Sequence, residues 1–185
     1  MNDFISEILK DKPKAVLAGF AESNYPAEII QRKFSEAKRL LTSIGVEVIY
    51  DKLFDEQARG EILLKAYEEI SKKEPFDLFI ACVAGWVPSD VVIQLVDLFS
   101  HKPILLWGLT GDVKNGKIIT PAAQAGTTAL RKVMEDLGYR FKYVYECLNS
   151  KPKTDRISDF AKAAKALSLL RRSKIGMMGY LSLIH

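Results

Sequence analysis

Residues 77–109 read DLFIACVAGWVPSDVVIQLVDLFSHKPILLWGL, and this stretch decides the fold. It begins and ends with apolar runs, residues 77–85 and 103–109. The segment between them carries apolar residues at helical spacing: Val92, Leu95, Val96 and Phe99. Strands that are apolar on both faces are typical of parallel sheets covered by helices. The stretch therefore predicts a strand, a helix and a second strand parallel to the first.

The same alternation continues in both directions along the chain. Further apolar runs that predict strands lie at residues 14–20, 46–51, 140–146 and 174–180. Apolar stripes at helical spacing run through residues 30–44, 62–70, 130–137 and 157–167. Gly45 and Gly138 stand where helices are expected to end, and each is followed at once by a strand.

This pattern predicts an α/β fold. The first five strands form an open, mostly parallel sheet of the flavodoxin-like or Rossmann-like kind, in the order 2-1-3-4-5, with helices on both faces in a three-layer α/β/α sandwich. We assign residues 1–150 to a Rossmann-like N-terminal domain. Residues 151–185 hold a helix and a strand that either pack on this domain or begin a second, truncated domain.

Composition excludes several classes of protein. The chain has 185 residues and a net charge of +4, and the basic residues of KAAKALSLLRRSK (162–174) are not interleaved with aromatic ones, so nucleic-acid binding is not expected. We find neither a long apolar run nor a signal peptide, which predicts a cytoplasmic protein without a membrane partner. Cys82 and Cys147 are far apart in the sequence and are expected to be free thiols.

Ligands of open α/β sheets collect at the carboxyl ends of the strands, so the loops at that edge are the places to search. Nucleotide-binding glycine motifs and the nucleophile motif of hydrolases are absent from the sequence. His101 precedes a strand and is expected at the opposite edge, on the surface. Four acidic residues fall in carboxyl-end loops and leave a weak magnesium site, as in phospho-receiver domains, open: Glu22, Asp51, Asp90 and Asp112.

Trp86 and Ser89 lie in the sequence GWVPSD, on a turn from a strand into a helix. Ser89 or Asp90 is expected to cap that helix. The indole of Trp86 either folds back onto the domain or provides a stacking surface for a sugar.

Gln124 is surrounded by small residues in TPAAQAGTTAL, residues 120–130. Either these residues make room for a ligand that Gln124 contacts, or they allow close packing of the helix while Gln124 is solvated. The preceding GLTGDVKNGK is expected to loop out, and Thr110 within it would complete a crevice with Trp86 and Gln124.

The order and spacing of residues 77–111, residues 120–146 and the segment KIGMMGY (174–180) resemble the N-terminal region of the L-fucose isomerase and L-arabinose isomerase family. The resemblance covers about residues 14–180. It implies a three-domain aldose–ketose isomerase that works with a divalent metal, usually manganese, and forms a homo-oligomer. It also implies a Rossmann-like N-terminal domain whose loops help to close the active site of a neighbouring subunit.

Within this resemblance, Trp86 stands where fucose isomerases carry a tryptophan that contacts the sugar from the adjacent subunit. Gln124 is similar to a polar contact of arabinose isomerases. The metal-binding and proton-transferring residues of the family belong to later parts of its sequence, so we expect no catalytic residue, metal ligand or cofactor site in this chain.

Two functions remain open. The chain is expected to be a fragment or truncated form of an isomerase that contributes oligomer contacts and substrate-covering loops and is catalytically incomplete alone. Alternatively, it is a stand-alone domain that binds a pentose or deoxyhexose without catalysis, through Trp86, Ser89, Thr110 and Gln124.

Overall fold

The computed structural model describes residues 11–174 and 176. The elements in chain order are β1 (Lys14–Phe20), α1 (Ala27–Ser43), β2 (Glu47–Phe54), α2 (Glu61–Ser71), β3 (Leu78–Val83), α3 (Ser89–Leu98), β4 (Ile104–Gly108), β5 (Asp112–Lys114), β6 (Lys117–Ile119), α4 (Ala123–Asp136), β7 (Phe141–Tyr145) and α5 (Thr154–Arg172).

A parallel sheet of five strands forms the centre of the molecule, in the order β2-β1-β3-β4-β7. The order changes direction between β1 and β3, as in doubly wound folds. The predicted α/β fold and strand order are confirmed. The five strands match the predicted runs to within three residues at each end.

Alternate residues of each strand belong to two separate hydrophobic cores, because successive side chains of a strand point to opposite faces of the sheet. One face packs against α2, α3 and α4 and includes Phe20, Phe79 and Leu106. The other packs against α1 and α5 and includes Ile80 and Trp107. Helices therefore cover both faces, which explains why the central strands are apolar throughout.

The segment after β4 is not the loop that we expected. Residues 112–119 form an antiparallel hairpin in which Lys114 pairs with Lys117. The two residues between them, Asn115 and Gly116, have φ angles of 53° and 71°. This is the left-handed pair that a tight two-residue hairpin turn requires, and Asn-Gly is its commonest sequence. The sequence signal was present and was misread as a flexible loop.

Helix α5 packs on the same sheet as the preceding elements, through Ile157, Ala161 and Ala164. Its N-cap is Lys153, without a side-chain hydrogen bond. The predicted sixth strand, residues 174–180, lies almost entirely outside the described residues. No helix within the described ranges is both long and apolar enough to cross a membrane.

Candidate functional site

The carboxyl edge of the sheet gathers the segments in which we predicted a site. The loops after β1 and β3 are tied together there, since the backbone N–H of Glu22 donates to the carbonyl oxygen of Trp86 at 2.8 Å. The segment that follows the β5–β6 hairpin joins them, because the N–H of Trp86 donates to the carbonyl oxygen of Pro121 at 2.7 Å. This edge is therefore a single surface built by three connections.

Trp86 is half-buried, and α4 packs directly against it. A Cβ added to Gly126 would lie 3.1 Å from Cα of Trp86 and 3.6 Å from Cδ1 of its indole. The first turn of α4 thus approaches the chain at Trp86 so closely that only glycine fits without a shift. The ring is partly folded back onto the domain and partly accessible.

Gln124 is exposed, and its Nε2 donates to the carbonyl oxygen of Glu146 at 2.9 Å. The side chain therefore ties the start of α4 to the end of β7. Gly126, one of the small residues near Gln124, allows α4 to pack against Trp86, in line with the close packing of the second interpretation. Gln124 itself is hydrogen-bonded to Glu146, which neither interpretation anticipated. Trp86 and Gln124 share the carboxyl edge, but neither lines the cavity at Thr110.

Gly126→Val is expected to lower the free energy of unfolding by about 1–3 kcal/mol, because the added side chain overpacks the contact with Trp86. Separation of α4 from the β3–α3 loop should also expose the Trp86 indole. Acrylamide quenching of fluorescence measures this, since Trp107 is 2% exposed and shielded. The control is Ala125→Val at the neighbouring exposed position, which should change stability by no more than about 0.5 kcal/mol. Equal effects of both variants would contradict the prediction.

Ser89 does not cap α3. The N-cap is Pro88, no side chain provides a capping hydrogen bond, and Ser89 is the first helical residue. Asp90 does not cap it either, because its carboxylate accepts from Nη2 of Arg59 at 2.6 Å and from Nε at 3.1 Å. Proline is suited to the start of a helix through its restricted φ, and here it takes the place of a polar cap.

The acidic residues of the carboxyl-end loops do not converge on a metal. Asp51 pairs with Lys38 at 2.7 Å, and Asp112 pairs with Lys33 at 2.8 Å. Among the described residues, no group of three or more histidine, cysteine, aspartate or glutamate side chains is placed to hold a metal ion. The magnesium site left open by the sequence is therefore not formed there.

The loop after β1 offers little to an anionic ligand, because a carboxylate already uses its donors. The backbone N–H of Ser23 donates to Oε2 of Glu56 at 2.8 Å, and the Ser23 hydroxyl donates to Oε1 at 2.6 Å. These hydrogen bonds, first of all that from the Ser23 hydroxyl, hold the pKa of Glu56 below its usual value. A phosphate group would have to displace this carboxylate.

Glu146 is a residue of the site that sequence reasoning missed. It directly follows β7, and its side chain is buried at 8% exposure beside that of Trp107. Burial, and to a smaller extent the Glu146 carboxylate, raise the pKa of the Cys82 thiol on β3. An acidic residue at the carboxyl end of a predicted strand was the available signal. Its burial depends on which side chains of other strands surround it.

Thr110 and Glu146 line a cavity of about 150 Å³, and neither Trp86 nor Gln124 is among its lining residues. Of the three residues predicted to form one crevice, Trp86, Thr110 and Gln124, only Thr110 lines this cavity.

Cys82 and Cys147 are free thiols, as expected. His101 is exposed in the turn before β4, at the amino edge of the sheet, also as expected.

No protein-family model matches this chain, and no curated protein matches it in sequence. Among solved structures it is similar to a short-chain flavodoxin associated with a non-canonical PDU bacterial microcompartment. The identity is 12%, the TM-score is 0.43, and the match covers 83% of this chain and 97% of that chain. The fold is established by the strand order itself, and this similarity adds nothing about a ligand or an activity.

Proposed function

We propose that this chain is the N-terminal unit of an aldose–ketose isomerase of the L-fucose and L-arabinose isomerase type. In this role it contributes oligomer contacts and substrate-covering loops for a pentose or deoxyhexose, and it is catalytically incomplete alone. The proposal rests on the resemblance of the ordered sequence motifs and on the surface that the carboxyl edge presents.

The β5–β6 hairpin is the observation that carries the proposal. Val113 and Ile118 form a cross-strand pair and are 46% and 66% exposed. An apolar pair on a two-stranded ribbon that is accessible to solvent favours contact with another chain. Ion pairs from Arg32 and Lys33 to Asp112 hold the first hairpin strand against α1. The ribbon is thus positioned by the domain while its apolar pair is left uncovered.

The half-buried indole of Trp86 lies next to the segment that leads out of this hairpin. A partner that covers the hairpin would therefore approach Trp86 as well. An indole can stack on the C–H face of a sugar and donate one hydrogen bond through its N–H. Trp86 is thus suited to cover a sugar held by a neighbouring subunit, with Gln124 two residues from the glycine that the indole contacts.

The described residues do not fit the manganese site of such an enzyme. Divalent cations of this kind need several carboxylate or imidazole ligands that converge on one point. The carboxylates of Asp51, Asp90 and Asp112 each contact lysine or arginine instead. The chemical step is therefore assigned to residues that this unit does not provide.

Ile118→Asp is expected to weaken self-association of the chain at least tenfold, equivalent to about 1.4 kcal/mol in dimerisation free energy. The reason is that a charge replaces an apolar contact in the proposed interface. Sedimentation velocity across a range of protein concentrations measures the change. Leu170→Asp is the matched control, because Leu170 is exposed to 72% on α5, away from the hairpin.

If the wild-type chain stays monomeric at every concentration, or if both variants behave alike, the hairpin is not the interface.

A separate assay tests the catalytic part of the proposal. The purified chain with manganese and L-fucose or L-arabinose is expected to form no ketose, and turnover by this chain would contradict the proposal. Saturable quenching of Trp86 by either sugar in a monomeric chain would favour the alternative, a binding domain without catalysis.

A further inference from the structure

A cavity of about 150 Å³ lies at the carboxyl edge of the sheet, between α1, the ends of β4 and β7 and the connection to α5. Its polar lining comes from Lys33, Glu36, Thr110, Glu146, Cys147 and Ser150. Neither Trp86 nor Gln124 lines it, so the cavity is separate from the surface to which the proposed isomerase role is assigned.

Glu146 brings a buried carboxylate to this cavity. Its Oε1 accepts from the indole Nε1 of Trp107 at 2.9 Å and, weakly, from the N–H of Lys153 at 3.5 Å. Its Oε2 accepts no hydrogen bond from the residues that the structure describes. Every fully shielded side-chain oxygen or nitrogen in that part of the chain has a partner, so the unpaired Oε2 is not fully shielded. The cavity that Glu146 lines provides the access.

No lysine or arginine of the described ranges lies within ion-pair distance of Glu146. Lys33 lines the same cavity, but its Nζ contacts Asp112 at 2.8 Å and Glu36 at 3.8 Å. The ammonium of Lys153 lies over the ring of Tyr145, 3.9 Å from its centre. A buried carboxylate without a compensating cation is costly, so a molecule that donates hydrogen bonds to Oε2 would be favoured there.

The chemistry of the walls selects among such molecules. A ligand ammonium group would have to lose its hydration on entry, and it would lie in the same cavity as Lys33, whose ammonium is already paired with Asp112 and Glu36. A metal ion would find no group of three ligating side chains among the described residues. A hydroxyl group, in contrast, donates to a carboxylate and accepts from an ammonium or a hydroxyl. Two adjacent hydroxyls would therefore satisfy both Glu146 and its polar neighbours Thr110 and Lys33.

The volume limits the size of the ligand. A cavity of about 150 Å³ holds on the order of five waters, and it is about half the smallest usual volume of a drug-sized pocket. We propose that this cavity binds a small neutral polyol, with vicinal hydroxyls donating to Oε2 of Glu146 and contacting Thr110. Apolar walls from Ala37, Leu40 and Leu109 would face the carbon chain.

Fluorescence of the Trp86→Phe variant tests this proposal, because the remaining indole, Trp107, donates directly to Glu146. Titration with erythritol is expected to give a saturable change in emission. The matched probe 1,4-butanediol has no vicinal hydroxyls and should give no saturable change. Ethanolamine should also fail. A flat response to erythritol, or equal responses to erythritol and either of the other probes, would overturn the proposal.

Two further substitutions in the same background locate the site. Glu146→Gln should raise the dissociation constant for erythritol at least tenfold, and Thr110→Val, which keeps the shape of the side chain, about threefold to tenfold. Thr42→Val, the same substitution at an exposed position outside the cavity, should leave it unchanged. If Glu146→Gln fails to fold, as judged by circular dichroism, the Thr110→Val and Thr42→Val pair decides. Unchanged binding in Thr110→Val then contradicts the proposal. The Ile118→Asp variant distinguishes this proposal from the proposed isomerase role. If it loses self-association but still binds erythritol, the cavity and the hairpin interface act independently.

Discussion

Phe99→Ala is expected to lower the free energy of unfolding by about 3–5 kcal/mol, the usual range for deletion of a buried aromatic ring. Phe99 is the C-cap of α3 and is only 1% exposed. Its ring stacks on Phe79 of β3 with the centroids 5.3 Å apart and meets Phe76 edge-on at 5.9 Å. Tyr67 of α2 covers it from a third side at 5.4 Å. Removal of the ring leaves a cavity among three aromatic neighbours that cannot collapse without moving two helices.

Urea denaturation followed by circular dichroism measures this loss. Leu98→Ala is the matched control, because Leu98 is the adjacent residue and is 40% exposed. The control is expected to cost less than about 1 kcal/mol, since little cavity is created at a solvent-accessible position. A loss below about 1.5 kcal/mol for Phe99→Ala would show that the aromatic cluster does not stabilise the contact between α2, α3 and the sheet.

Gly108→Ala is expected to destabilise the protein by about 2–3 kcal/mol through overpacking. A Cβ at this position would lie 2.5 Å from Oγ1 and 2.8 Å from Cγ2 of Thr127. Thr127 is fully buried, and its hydroxyl donates to the carbonyl oxygen of Ala123 at 2.6 Å, which limits its movement. The helix α4 would therefore be pushed away from β4. The carbonyl oxygen of Gly108 also accepts from the N–H of Glu146 at 2.8 Å, so the cavity beside Glu146 would be distorted as well.

A double-mutant cycle with Thr127→Ala tests this cause directly. Thr127→Ala removes the two closest atoms and leaves the Cβ of residue 127, which would be 2.9 Å from the new methyl group. The double variant should thus regain part of the stability that Gly108→Ala loses, by about 1 kcal/mol or more. Purely additive effects of the two substitutions would mean that the contact with Thr127 is not responsible.

The secondary structure of the central sheet was accessible to sequence reasoning because its signals are local. Runs such as residues 77–85 are apolar throughout, and α1 carries its buried residues on one stripe. Gly45 and Gly138, predicted at helix ends, have φ angles of 84° and 77° there, in the region that favours glycine. The hairpin at Asn115 and Gly116 was missed although its signal is equally local, because glycine and asparagine also occur in irregular loops.

The surroundings of the candidate site residues were only partly predictable. Trp86, Thr110 and Gln124 were all placed correctly at the carboxyl edge, since that position follows from the strand each of them succeeds. The cavity at Thr110 does not include the other two residues of the predicted crevice. Gly126 brings α4 against Trp86, while Thr110 and Glu146 line one cavity, and local periodicity predicts neither arrangement.

Local periodicity thus determined which segments of this chain are strands and helices and at which edge their connecting loops meet. Packing between distant segments alone decided that Glu146 is buried beside Trp107, 39 residues earlier, with one carboxylate oxygen reachable from a cavity. The physical reason is that periodicity depends on the alternation of polar and apolar residues along one segment. The environment of a side chain depends instead on the shapes and charges that other segments bring to it.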